Sequence, residues 1–270
     1  MRNASGLRVF ITGGSSGIGA ALARRFAQLR AKVVIAARSQ ERLEAVCQGI
    51  RAQGGWAQAV VCDVTDCLSV EKAVAFAVES LGGLDVVVAN AGFGVVGRVE
   101  ELTLEDFERQ FETNVYGVIR TVKAALPALK ESRGVLAIMG SVSGYFPSPG
   151  ASAYAMSKFA VRALAESLRG ELRPHGVSVV LISPGFVESN IRRVDNRGIL
   201  RPEAPDPVPP WLIMSAEKAA KLMVRAILKR KPELVVTGHG KVAVFLARHF
   251  PRLTRALVSR SQARRQPGRN

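Results

Sequence analysis

Tyr154 and Lys158 stand four residues apart in the segment SVSGYFPSPGASAYAMSK, residues 141–158. On a helix that spacing puts both on one face. An ammonium close to a phenol favours the phenolate, because opposite charge stabilises the charged form. Tyrosine ordinarily titrates near pH ~10, and each unit of downward shift corresponds to about 1.4 kcal/mol. A phenol tuned toward neutrality can give a proton to a carbonyl oxygen or take one from an alcohol. The pair alone occurs on any amphipathic helix, as a packed ring and a solvated amine. Its context is Ser141, thirteen residues upstream of the tyrosine, and a glycine-rich loop at the start of the chain.

That loop, TGGSSGIG at residues 12–19, follows an apolar run at 7–12 (LRVFIT) and precedes a helical pattern, AALARRFAQL. Strand, glycine loop and helix N-terminus make an anion site. Gly13 allows the tight turn, Gly17 lets the backbone approach a pyrophosphate, and Gly19 lets helix and strand pack closely, with Ser15, Ser16 and Ile18 completing the loop. The next strand, residues 32–37, ends at Arg38, about twenty residues past the loop. A carboxylate there would take the ribose hydroxyls of NAD. Ala37 and Arg38 offer none, and an arginine suits the 2′-phosphate of NADP, the other reading being a solvated surface arginine.

The elements that must position these residues alternate. Strands are predicted at 56–62, 84–89, 134–139, 177–182 and 233–237, and helices at 39–53, after Asp66 to 81, at 103–130, 151–172 and 215–229. Such alternation implies an α/β chain: one Rossmann-type domain, a doubly wound parallel sheet of about seven strands with helices on both faces. Ligands then bind at the carboxyl ends of the strands. The glycine loop, Arg38, Asp63-Val64, Asn90-Ala91-Gly92, Ser141 and Pro184-Gly185 all fall at those ends. Asp63 either contacts the adenine or holds its loop through backbone amides. Asn90 supports the sheet, lets the backbone approach a cofactor, or both. Asn114, inside a long helical pattern, either bonds neighbouring backbone or marks a distortion that holds a water in a proton path.

Composition sets the remaining bounds. The 270 residues are 48% hydrophobic, enough for a substantial core, and no apolar run reaches membrane-spanning length. Cys47, Cys62 and Cys67 form no CxxC pair, and His175, His239 and His249 lack ligand spacing, so a metal site is not expected. Reduced thiols and the lack of a cleavable leader point to the cytoplasm. Half of the net charge of +16 lies beyond Leu234, where no acidic residue occurs.

TGGSSGIG, Asn90-Ala91-Gly92, Asn114, Ser141 and Tyr154-x-x-x-Lys158 together resemble the classical short-chain dehydrogenase/reductase family, over about residues 7–237. The resemblance implies hydride transfer between NAD(P) and a carbonyl or alcohol. It makes Tyr154 the general acid in reduction and Lys158 the group that bonds the nicotinamide ribose and lowers the tyrosine's pKa. Ser141 would hold the substrate oxygen and Asn114 would position a relay water. Pro184, Gly185, Val187 and Ser189 would lie beside the nicotinamide, with Ser189 where threonine is usual; Ala89 stands where many members carry a second asparagine. NADP(H) is expected over NAD(H). The alternative is a non-catalytic NADP(H)-binding regulator on the same fold. A homodimer or homotetramer follows by analogy only.

The irregular, proline-rich stretch 189–212 reads as a substrate lid. Residues 93–96, Tyr145, Phe146, Phe186 and this lid are the expected pocket wall, which suggests a hydrophobic carbonyl or secondary alcohol. Residues 1–239 form the expected catalytic domain, and 240–270 a basic amphipathic tail split by Pro251 into two short helices. The tail is either a peripheral membrane anchor or a helix packed on protein with a basic tip. Aromatic residues are too sparse in it to suggest nucleic acid.

Overall fold

The computed structural model describes residues 4–252 together with Thr254 and Ala256. Seven strands form one sheet: β1 (Arg8–Thr12), β2 (Lys32–Ala37), β3 (Trp56–Val61), β4 (Val86–Ala89), β5 (Val135–Met139), β6 (Ser178–Ser183) and β7 (Glu233–Val235). All pairings are parallel, in the order β3-β2-β1-β4-β5-β6-β7. The central strands are apolar throughout because both faces are covered.

On one face lie α1 (Gly17–Gln28), α2 (Gln40–Arg51) and α7 (Ala216–Leu228). Their Leu22, Phe26, Leu43, Met223 and Ile227 pack with Val9, Ile11, Val33 and Ile35 of the sheet. On the other lie α3 (Cys67–Leu81), α5 (Gly117–Ser132) and α6 (Ser152–Leu172). Val70, Val118, Leu129, Val161 and Leu168 meet Phe10, Val34, Val87, Leu136 and Leu181 there. The two faces of each strand thus serve separate cores, as the period of two requires.

Side-chain caps open three of the helices. Ser39 accepts from the Arg42 amide, Asp66 from the Ser69 amide and Ser215 from the Lys218 amide. At the opposite end of the sheet from the strands' carboxyl ends, Asp85 ties β4 to β1. Its carboxylate accepts from Arg8 Nε at 2.9 Å, Arg8 Nη2 at 2.8 Å and the Arg8 amide at 2.9 Å.

The single helix predicted over 103–130 is interrupted. α4 (Leu104–Phe111) gives way to a π turn at Glu112–Tyr116 before α5 begins. Asn114 sits within that turn, so the predicted distortion is real and is a π-bulge. The tail helix α8 (Gly238–His249) starts two residues before the expected boundary, because Thr237 caps it by accepting from the Gly240 amide. It packs Val244 against Val142 and Tyr145. Most of the second predicted tail helix lies outside the described residues. Among the described residues no helix is long and apolar enough to cross a membrane.

Candidate active site

The strand order reverses between β1 and β4, and at that point the carboxyl ends open into a cavity of about 1110 Å³. Every predicted cofactor residue lines it: Gly13, Ser15 to Gly19, Arg38, Asp63, Val64, Asn90 to Gly92, Tyr154, Lys158, Pro184, Gly185, Val187 and Ser189. Ser141 lines it too. Asn114 does not; it is fully buried behind the wall.

The glycine loop is shaped by close approach. Gly13 has φ +68°, and a Cβ on it would lie 2.8 Å from the Ala91 Cα. On Gly19 a Cβ would lie 2.1 Å from the Gly13 carbonyl oxygen, so the loop folds over α1 only without side chains. Asn90 holds the loop from β4, donating from Nδ2 to the carbonyls of Thr12 (2.9 Å) and Gly13 (3.1 Å). Thr12 Oγ1 accepts in turn from the amides of Asn90 and Ala91. Asn90 therefore does sheet support and loop placement together. Ser16, the N-cap of α1, makes no capping bond, so the helix N-terminus faces the cavity without a side-chain acceptor. These features fit a pyrophosphate.

At the β5–α6 end the polar groups interlock. Lys158 is buried and donates from Nζ to the Met139 carbonyl at 3.0 Å, with Nζ 5.6 Å from the centre of the Tyr154 ring. Burial without a carboxylate partner pulls its pKa down to about 8. Ser141 caps the turn after β5, its Oγ accepting from the Ser143 amide at 3.1 Å, and its hydroxyl lines the cavity beside Tyr154. Burial raises the Tyr154 pKa, and the opposing pulls of the Ser141 hydroxyl and the Arg192 charge do not overcome it. The direction is opposite to the one expected from the Lys158 charge alone. Desolvation of the ring outweighs the nearby charges, while Lys158 commits one of its three donors to the Met139 carbonyl and keeps its charge. Asn114 is also committed: its Oδ1 accepts from the Phe93 amide, and its Nδ2 donates to the Phe93 carbonyl and to Ser157 Oγ. The side chain follows the backbone-bonding reading and fixes the β4–α4 loop against α6.

Toward β2 and β3 the groups are more open. Asp63 lines the cavity while its Oδ1 accepts from the amide and hydroxyl of Thr65, which is the loop-holding reading. Arg38 is exposed and has no ion pair among the described residues; Arg42, from the first turn of α2, shares the cavity rim.

The lid has little regular structure, only short 3-10 turns at Asn190–Arg193 and Pro210–Leu212. Side chains close it instead. Arg192 forms a bidentate pair with Asp206, both bonds 2.7 Å, and donates to the Val187 carbonyl at 3.2 Å. Ile191, Val194, Ile199 and Leu200 give the cavity its apolar lid wall. From the predicted wall Phe93 is present, but Val96 is an exposed anchor for Asn196 and Val95 is buried. Tyr145 and Phe146 are not in the cavity, because they pack under α8. Tyr145 donates to Glu233, and Arg162 and Arg248 stack on its ring at 4.2 and 5.0 Å. Phe186 turns to His239 at 5.3 Å. Residues the sequence reading missed are Glu105, Glu108 and Arg109, whose polar face on α4 meets the cavity.

Comparison with known proteins agrees with this geometry. The family model for short chain dehydrogenase matches residues 8–199. A 2,5-dichloro-2,5-cyclohexadiene-1,4-diol dehydrogenase of Sphingobium indicum is 38% identical over 69% of this chain and 75% of its own length. A fatty acyl-CoA reductase of Acinetobacter baylyi is 32% identical over 95% of this chain and 84% of its own. Among solved structures, a short chain dehydrogenase of Burkholderia cenocepacia in complex with NADP is 32% identical, with a TM-score of 0.76 over 89% of this chain and all of that one (100%). One from Burkholderia phymatum in complex with NAD is 27% identical, with a TM-score of 0.81 over 91% of this chain and 94% of that one. A doubly wound sheet with a serine, a tyrosine and a lysine gathered at its switch point defines a nucleotide-dependent oxidoreductase. The chain belongs to the short-chain dehydrogenase/reductase family.

Proposed function

We propose that the protein is an NADP(H)-dependent reductase of hydrophobic carbonyl compounds, with Tyr154 as general acid. The observation that carries this is the gathering of Ser141, Tyr154 and Lys158 in one cleft with the glycine loop, the Lys158 ammonium 5.6 Å from the centre of the tyrosine ring. A neutral phenol is the competent form for delivering a proton to oxygen. Bound NADPH would supply the hydride. Ser141 would hold the substrate oxygen beside the phenol, and the positive charges of Lys158 and Arg192 would steady the tyrosinate as it forms. Asn114 fixes Phe93 and Ser157 around that site, and the π turn that carries it is where a relay water would sit.

Arg38, exposed at the end of β2 and without an ion-pair partner among the described residues, supports NADP(H) over NAD(H). The apolar lid wall supports a hydrophobic substrate, and so does the likeness to a fatty acyl-CoA reductase that extends into the tail. The non-catalytic alternative gains no support from these relatives. We also propose that the exposed Tyr116, Met156 and Phe159 pair two copies across α5 and α6. The packing of Val244 on Val142 and Tyr145 supports the helix-on-protein reading of the tail, and the exposed Val242 and Phe245 of α8, with Phe250 just after it, leave a peripheral membrane contact as the alternative.

Two measurements test the core of the proposal. NADPH oxidation is followed with a panel of aldehydes and ketones of rising chain length, and kcat/KM should climb with apolar length. Arg38→Asp should then invert the preference between NADPH and NADH. Equal use of both cofactors before and after that change removes the NADP(H) assignment.

A further inference from the structure

The lid reaches further across the cleft than its attachment after β6 requires. On one side Asn196 grips the β4–α4 loop, accepting from the Val96 amide at 3.0 Å and donating to the Val96 carbonyl at 2.9 Å. On the other side the Gly198 carbonyl lies 3.5 Å from Arg38 Nη2, 160 residues away in sequence. The lid tip therefore spans from the loop after β4 to the end of β2.

Asp195 makes the tip a built turn. Its Oδ1 accepts from the amides of Arg197 (3.0 Å) and Ile199 (2.9 Å), and its Oδ2 from Arg201 Nε (3.0 Å). With that carboxylate committed, Arg197 is exposed on the tip and lines the same cavity as Arg38 and Arg42. None of these three guanidinium groups has a carboxylate partner among the described residues. Glu41 and Asp63 share that side and leave it net positive by one; over the whole cavity six cationic side chains face five carboxylates, Glu105, Glu108 and Glu112 lying on the α4 side. Like charges gathered at one rim repel, so a fold gains nothing from them until an anion arrives. A phosphate dianion is the ligand that planar guanidinium groups match best.

We propose that Arg197, carried on the lid tip, is a second reader of the adenosine 2′-phosphate, so that binding of the phosphorylated cofactor and closure of the lid are one event. The inference rests on the NADP(H) reading above and adds to it a specificity residue outside the Rossmann core. The lid would close over the adenosine end as well as over the substrate.

The test uses adenosine 2′,5′-bisphosphate and 5′-AMP as probes, titrated calorimetrically into the full chain. Arg197→Ala should weaken the bisphosphate about tenfold, the size expected for one charge-assisted contact, and leave 5′-AMP unchanged. Trypsin cleavage after Arg197 in the unaltered protein should slow with the bisphosphate and not with 5′-AMP. If Arg38→Ala weakens the bisphosphate while Arg197→Ala does not, the lid-tip assignment is wrong and the NADP(H) reading survives. If the unaltered protein binds both probes equally, both fall. Unslowed cleavage after Arg197 with the bisphosphate bound also overturns the coupling to the lid.

Discussion

The two ends of the cleft are built on opposite plans. Around Tyr154 the polar groups are sunk into the wall and bonded to one another: Lys158 to Met139, Asn114 to Phe93 and Ser157, Ser157 to the Tyr154 carbonyl. Around Arg38 the charged groups stand exposed, and the chain facing them is a lid held by ion pairs. Proton transfer needs groups that do not reorganise when charge develops, so that end accepts the cost of burying an amine. Cofactor choice needs a difference of affinity at a surface that can open and shut, and in our proposal Arg38, and Arg197 on the lid that faces it, supply that difference.

Lys158 breaks this comparison most sharply. Lys158→Met should lower kcat by at least about 100-fold, because the cation that steadies the forming tyrosinate is lost. The same change should leave the melting temperature unchanged or higher. The buried ammonium has a folded pKa of about 8, below the unfolded value of ~10.4, so charging it costs the folded state stability. That cost vanishes as pH rises from about 8 toward the unfolded value, and the stability gain of the variant should shrink over the same window. Carbonyl reduction by the unaltered protein should fall as pH passes through about 8.

A smaller effect is expected at the lid. Arg192→Met removes the clasp to Asp206 and a charge that pulls the Tyr154 pKa down. It should lower kcat/KM about tenfold, as loss of one charged hydrogen-bonded pair predicts, with a shift of the pH profile for the tyrosine to higher pH. An unshifted profile would make the clasp purely structural.

Least of all should Asp85→Asn matter to turnover, although it breaks a partly buried pair. Burial pushes the Asp85 carboxyl up, and the Arg8 side chain and amide more than offset that, leaving its pKa below the usual carboxylate range. The variant should lose ~1–3 kcal/mol in denaturant unfolding and keep its kcat. The contribution is full above the unfolded value of ~3.9 and is lost as pH falls through the lower folded value, so unaltered protein and variant should converge in acid.

The sequence made the scaffold legible wherever a local rule decides. Strands such as Lys32–Ala37 end where their apolar runs end, and caps such as Ser39 and Asp66 sit where chain polarity demands a donor's partner. Apart from Asn114 in its π turn, the site residues were legible for the same reason: they follow the carboxyl ends of strands or share one face of α6. Nonlocal balances stayed hidden. The sign of the Tyr154 shift depends on burial by segments far away in sequence, and no spacing rule reports it. Tyr145 reads as a pocket aromatic until α8 and Glu233 are seen to cover it. The lid clasp joins Arg192 to Asp206 across fourteen irregular residues, where neither helix nor strand period applies.

The most direct test of the account is Tyr154→Phe, measured twice on the same preparation. NADPH affinity by fluorescence titration should stay within about twofold, and single-turnover reduction of an apolar aldehyde should slow by at least about 100-fold, since only the transition state uses the hydroxyl. Reduction at the unaltered rate, with NADPH bound normally, would contradict it.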